Sequence, residues 1–578
     1  MWNEIKMILS ALFPVLLLVI VILIVGLGLR RFAGRDGQVA VSGNSVRRFF
    51  QYLLLFGLLV VSAIGLSGLL GRLLDGATFV SSDQSTLARN SSFVVVGIPL
   101  LLLLANWTRR KVLADPLEAA SLGLGFYLTI SSITSLAVSM SSFHEILIWT
   151  VGTQKYNGET FARFIVWGGI WGVHWWVDLR FIPALTSRYH HFLGSLIGLV
   201  TVVFGLSEFL SEVIARLFHF GGGALYTRGG DSIFLSATTL LVGLPVWLIY
   251  WMRTYAKSNK DSLWLGYVLL AGAGGGLLLA VSFASALLYK ILIWLFGDPI
   301  SINAAFHFQQ ISTYAGVALV GAICWLYHHA ILEEFRRTAR TEVQRIYEYL
   351  MAGIGLVAAA GGIVMLLTGF VEAVTNSSLI VEESGAKNAL LAAVTLLVVG
   401  GPVWWIFWRR IQSARQTSPS TEYSSTTRRI YLFILFGVGG LAGVIALLVG
   451  VFYIFDDIFK GNFSGETVHR ARYGISVLLT AFAVAGYHWV IYRAERESLL
   501  ATSSGPDFVL LIGKKDPELI RSINQHSGAR VQAWQPLVDV HDFGSIADVL
   551  QALEGVEAES VLLLAEPSGL RAIPIERS

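Results

Sequence analysis

Long apolar runs, each about the length of a bilayer crossing and each ended by a short polar loop, fill most of the 578-residue chain. A bilayer core is about 30 Å thick and offers no water to an unpaired backbone group, so crossing it takes about 20 apolar residues of helix. Thirteen such stretches occur, over 7–29, 48–73, 91–107, 118–142, 160–178, 191–217, 232–252, 262–295, 310–331, 346–372, 388–408, 429–455 and 472–492. The first is followed by Arg30, Arg31 and Arg35 with no small-residue cleavage site, which predicts a retained helix rather than a cleaved leader. From Pro506 the pattern changes. Strands are predicted over 508–513, 529–534, 560–565 and 570–575, with helices over 516–524 and 542–553. The expected fold is therefore an all-α polytopic membrane bundle of about thirteen helices carrying a small C-terminal α/β domain.

Lysine and arginine resist translocation, so their distribution orients the chain. Alternate loops carry Arg30/Arg31/Arg35/Arg47, Arg109/Arg110/Lys111, Arg180/Arg188, Arg253/Lys257/Lys260, Arg336/Arg337/Arg340/Arg345 and Arg409/Arg410/Arg415/Arg428. The intervening loops hold Arg89, Lys155, Arg228, Lys387, Lys460 and Arg470, with none in the one that ends at Gln309. This alternation predicts the N-terminus outside, the C-terminal domain in the cytoplasm and a plasma-membrane location.

Self-similarity organises the bundle. Val242-Gly-Leu-Pro-Val-Trp-Leu-Ile-Tyr-Trp251 matches Val399-Gly-Gly-Pro-Val-Trp-Trp-Ile-Phe-Trp408 at eight of ten positions in identity or aromatic character, and Val96-Gly-Ile-Pro99 is a weaker copy. Two helices after each comes a histidine: Gly-Val-His174-Trp, Leu-Tyr-His328-His, Gly-Tyr-His488-Trp. Basic-aromatic leaders also recur, as Arg47-Arg-Phe-Phe-Gln-Tyr52, Arg188-Tyr-His-His-Phe192, Arg345-Ile-Tyr-Glu-Tyr349 and Arg428-Arg-Ile-Tyr-Leu-Phe433. These features divide the chain into an anchoring helix and basic loop (1–44), four-helix repeats over 45–187, 188–344 and 345–504 (the last with a linker), and the cytoplasmic domain (505–578). Four helices per unit keep the repeats parallel, unlike inverted-repeat transporters. The Arg-Arg-Ile-Tyr leader, the Val-Gly-x-Pro-x-Trp helix and the Tyr-His-Trp helix together resemble an uncharacterised prokaryotic four-helix membrane domain, one of the domains of unknown function. The resemblance covers 45 to 497 as three copies. It weakens in the first, where Pro99 lacks the following Trp and His174 the preceding Tyr. It implies an architecture and brings no activity.

Composition narrows the chemistry. The chain is 55% apolar and 14% charged, with a mean hydropathy of +0.66. A net charge of +4 excludes a nucleic-acid surface, and the lone Cys324 excludes an internal disulfide or a thiolate metal cluster. His174, His328 and His488 are the candidate ligand or polar-contact residues. Haem or metal ligation by them is weighed against an interfacial aromatic belt, in which each ring donates to a neighbouring helix and meets water; the belt is preferred. Pro99, Pro245 and Pro402 each remove a helix hydrogen bond and are the candidate kinks or hinges. Glu208 and Glu212 are expected on a solvated helix end. The run Thr129 to Ser135 is the most polar mid-span patch, and no charge sits at a midplane, which argues against an ion-coupled pump. No catalytic constellation, metal site or cofactor is expected. In the tail, Gly513-Lys514-Lys515 lacks the spacing of a phosphate loop.

The expected function is a non-enzymatic scaffold or sensor binding lipid, a hydrophobic ligand or a partner, with protein contact or self-association through the tail. The alternative is a transporter or channel for a weakly charged solute, which requires a watery cavity lined by Ser132, Ser135, Pro245 or Pro402. A membrane haem or redox protein is a distant third.

Overall fold

A computed structural model describes residues 43–75, 84–218, 232–299, 301–333, 341–375, 384–417, 422–423, 425–502, 506, 508–512, 516–527, 529–535, 543–553, 556, 558–566 and 569–576. The expected span at 7–29 and the Gly513-Lys514-Lys515 turn lie outside these residues. In chain order the helices are α1 (Gly43–Leu74), α2 (Gln84–Ala114), the short α3 (Pro116–Ala119), α4 (Leu122–Thr150), α5 (Gly158–Phe181), α6 (Ala184–Leu217), α7 (Ser232–Trp247), α8 (Ser262–Gly266), α9 (Gly275–Phe296), the short α10 (Ala304–His307), α11 (Ile311–Glu333), α12 (Glu342–Thr375), α13 (Ser384–Thr417), α14 (Thr426–Phe459) and α15 (Gly465–Thr502). Eleven helical segments among the described residues are long and apolar enough to cross a bilayer. Of the thirteen expected stretches eleven are of this kind, and 7–29 lies outside the described residues. The stretch at 160–178 forms the 24-residue α5, outside that set because its tryptophans, arginines, His174 and Asp178 lower its hydropathy.

The described residues fall into two compact units, one within 1–213 and 227–267, the other within 214–226 and 268–578. In the first, α1 packs on α2, α4 and α5, and α4 packs on α5 and α7. In the second, α9 packs on α11 and α13, while α12 packs on α13, α14 and α15. With lipid as solvent, helices gain by close backbone approach, and small residues supply it. The Pro-bearing helix of every repeat uses the glycine two residues before its proline. A Cβ on Gly97 would lie 2.8 Å from Ser62 Oγ on α1, one on Gly243 2.8 Å from Thr201 on α6, and one on Gly400 2.6 Å from the Ala358 Cβ on α12. Pro99, Pro245 and Pro402 are exposed. Pro99 and Pro402 lie inside uninterrupted helices. Beyond Pro245 the backbone widens into a π-helix over Leu248–Thr254, and a second π-helix spans Tyr267–Gly274.

The tail forms β1 (Phe508–Ile512), α16 (Pro517–Ser527), β2 (Arg530–Trp534), α17 (Ile546–Leu553), β3 (Ser560–Glu566) and β4 (Gly569–Pro574). The sheet order is β2-β1-β3-β4, with β1 parallel to β2 and β3, and β4 antiparallel on the edge. Alternate residues Val509, Leu511, Val561, Leu563 and Ala565 form one apolar cluster with Leu519 and Ile523 of α16 and Val549 and Leu553 of α17. This is the period of two that a strand imposes on its core face.

Candidate functional site

Each repeat ties an arginine at the start of its first helix to an acid just before its third. In repeat 1, Arg47 Nη2 and Arg48 Nε both donate to Glu118 Oε2 at 2.9 Å, and Tyr52 donates its hydroxyl to Oε1 at 3.1 Å. In repeat 2, Arg188 Nη1 lies 3.6 Å from Asp261 Oδ2. In repeat 3, Arg345 Nε donates to Glu422 Oε1 at 2.9 Å. Burial raises the pKa of the Glu118 carboxyl, but the hydrogen bonds from Arg48, Arg47 and Tyr52 outweigh it and hold the group below the ordinary glutamate value.

The three predicted histidines share one geometry. His174 Nδ1 lies 2.8 Å from the Ile170 carbonyl, His328 Nδ1 2.8 Å from that of Cys324, and His488 Nδ1 2.8 Å from that of Val484. A carbonyl only accepts, so Nδ1 carries the proton and donates to its own helix one turn back. Nε2 then accepts, from Tyr127 Oη at 3.0 Å in repeat 1 and from Tyr431 Oη at 3.4 Å in repeat 3. In repeat 2 the His328 ring lies against Gly272, where a Cβ would come within 2.3 Å of it. The watery belt is corrected: these residues are 8%, 1% and 1% exposed, and the acceptor belongs to the same helix rather than a neighbour. Each histidine is engaged within its own repeat. Glu212 is likewise buried rather than solvated, and Glu208 accepts from Thr239 at 3.0 Å.

A cluster that the sequence reading did not assemble lies where repeat 1 passes into repeat 2. Ile182, before Pro183, takes the extended backbone that a following proline favours, and α6 begins at Ala184. This tight turn lays the last turn of α5 beside the second turn of α6. Asp178 Oδ2 then stands 2.8 Å from His191 Nε2 and 3.7 Å from His190 Nδ1. Asp178, His190 and His191 are all buried. His190 Nε2 lies 2.7 Å from Tyr250 Oη, which accepts from Trp171 Nε1 at 2.8 Å, and the Trp175 ring meets His190, His191 and Tyr250 edge-on. The signal available in the sequence was an acid four residues after His174 and a His pair shortly beyond it. Among the described residues Asp178, His190 and His191 form the set of His, Cys, Asp and Glu side chains whose donor atoms converge closely enough to hold a metal ion. Elsewhere in this unit, a half-open cavity of about 260 Å³ is lined by Glu145, Trp149, Gln154, Lys155 and Thr160.

One protein-family model matches the chain three times, over 48–173, 188–327 and 345–483. The chain belongs to this family, DUF5671, a domain of unknown function. The DUF5671 matches begin at Arg48, Arg188 and Arg345, the arginines that reach the loop acids, and each copy takes in four long helices. The first two copies end one residue before His174 and His328. Neither the curated proteins nor the solved structures include a match to the chain.

Proposed function

We propose that the chain is a non-enzymatic membrane scaffold or sensor whose bundle is closed to solutes and whose C-terminal domain engages a protein partner or a second copy. The observation that carries this reading is the state of the most polar mid-helix run. Ser131, Ser132 and Ser135 of α4 are 0% exposed, and Ser135 Oγ donates to the Ser131 carbonyl at 2.7 Å. The run is enclosed by packed protein, and the hydroxyls of Thr129 and Ser135 turn back on their own helix, which supports a bundle without a water path along it. The prolines that would line one are on the exposed side of their helices, and the adjacent glycines make the packed side. Thirteen spans, the outward N-terminus, the cytoplasmic tail and the plasma-membrane location belong to the same reading and rest on the alternation of basic loops. Bilayer lipid is the remaining partner.

Cysteine accessibility tests it. In a Cys324→Ala background, single cysteines placed by Ser132→Cys and Ser135→Cys should resist an aqueous thiosulfonate reagent, whereas Gln154→Cys on the open cavity should react quickly. Rapid labelling at Ser132→Cys and Ser135→Cys would move the reading to a transporter or channel.

A further inference from the structure

We propose that Asp178, His190 and His191 bind one divalent transition-metal ion of the zinc class at the junction of the first and second repeats. The donor atoms lie within 4.8 Å of one another. A tetrahedral ion with bonds of about 2.0–2.1 Å sets its ligand atoms about 3.3 Å apart, and the 2.8 and 3.7 Å separations bracket that value. Two imidazole nitrogens and a carboxylate suit zinc, cobalt or nickel, and three protein ligands leave a fourth position for water or another ligand.

Burial makes a cation the natural complement. Asp178 is 2% exposed, His190 0% and His191 8%. Asp178 Oδ2, His190 Nδ1 and His191 Nε2 face one another, and none of the three makes a well-aligned hydrogen bond among the described residues. Enclosed polar groups left so are costly, and an ion coordinated by all of them removes the cost. The outer contacts have the form that metal sites use. A ligating histidine donates its other ring N–H to an acceptor, and Tyr250 Oη, with two lone pairs, can take the proton of His190 Nε2 as well as that of Trp171 Nε1. The Nδ1 lone pair is then free to face Asp178.

The repeats themselves supply a comparison. At the passage from repeat 2 to repeat 3 the positions of Asp178, His190 and His191 hold Leu332, Tyr347 and Glu348, and Trp325 Nε1 donates directly to Tyr347 Oη at 3.0 Å. At the leader of repeat 1 the two histidine positions hold Phe50 and Gln51. The four-helix packing therefore does not require this donor set, which occurs at one junction. The proposal does not rest on the scaffold reading, since a transporter with this junction would hold the ion equally well.

Untagged full-length protein, purified in detergent, stripped with chelator and then given Zn2+ or Co2+, should retain about one ion per chain after desalting. Bound Co2+ should show the visible absorption of a four-coordinate ion. Asp178→Asn and His191→Gln should each lower affinity at least about tenfold, Tyr250→Phe should weaken it without abolishing it, and His329→Gln should leave it unchanged. Zn2+ should also raise the unfolding temperature of the parent chain but not of Asp178→Asn. Retention below about 0.1 ion per chain by the stripped parent, or retention unaffected by both ligand variants, would overturn the assignment.

Discussion

At Glu118 a carboxylate that is 2% exposed meets two guanidinium groups and a phenol. Its proton affinity is lowered in the folded chain, so its contribution to stability is fully present above the ordinary glutamate pKa and is lost as pH falls through the depressed value. Glu118→Gln should therefore destabilise the protein at pH 7 by about 1.5–3 kcal/mol, the worth of hydrogen bonds to a charged group. The gap to the parent should close in strongly acid buffer, as read by thermal unfolding over a pH series; a gap independent of pH would contradict the role. The sequence marked the arginines of these clamps but not their acids. Glu118 stands 70 residues from Arg48 and Glu422 77 residues from Arg345, so unequal loops hide the correspondence. The histidines were legible as a repeated position, whereas their tautomer and their tyrosine partners needed the neighbouring helix in place.

On the scale of helices, the strongest constraint is how closely two backbones approach. A Cβ at Gly355 of α12 would lie 2.3 Å from the Trp404 backbone nitrogen of α13, while one at Gly353 would meet nothing within 4 Å. Gly355→Val should cost about 1–3 kcal/mol through overpacking, and Gly353→Val should change stability much less. Thermal unfolding of the two variants in detergent checks the contrast, and equal effects would mean that α12 and α13 are not in this register. Both glycines sit in one apolar run, and hydropathy carries no sign of which one faces a partner. The two π-helical stretches were equally silent, since their only local cue is Pro245, three residues before the first. Tail strands were easier to read: Phe508–Ile512 and Ser560–Glu566 are apolar runs of strand length bounded by turn residues, and they pair in parallel as buried strands do.

Across the whole chain, the basic loops predict that residues 506–578 face the cytoplasm. Protease added to intact cells should leave this segment whole, and protease added to inverted vesicles should remove it; the reverse would invert the proposed topology. The three repeats were visible because their prolines, histidines and arginines recur in a fixed order. The Asp178 cluster was not, because its members belong to two successive copies and meet only through the turn at Ile182 and Pro183. Each copy carries both halves of its own arginine-to-acid latch and its own glycine notch. A gene duplication that adds one more copy therefore brings its internal fastenings with it, and what has to be rebuilt is the seam between neighbours, where α4 meets α7 and α9 meets α13.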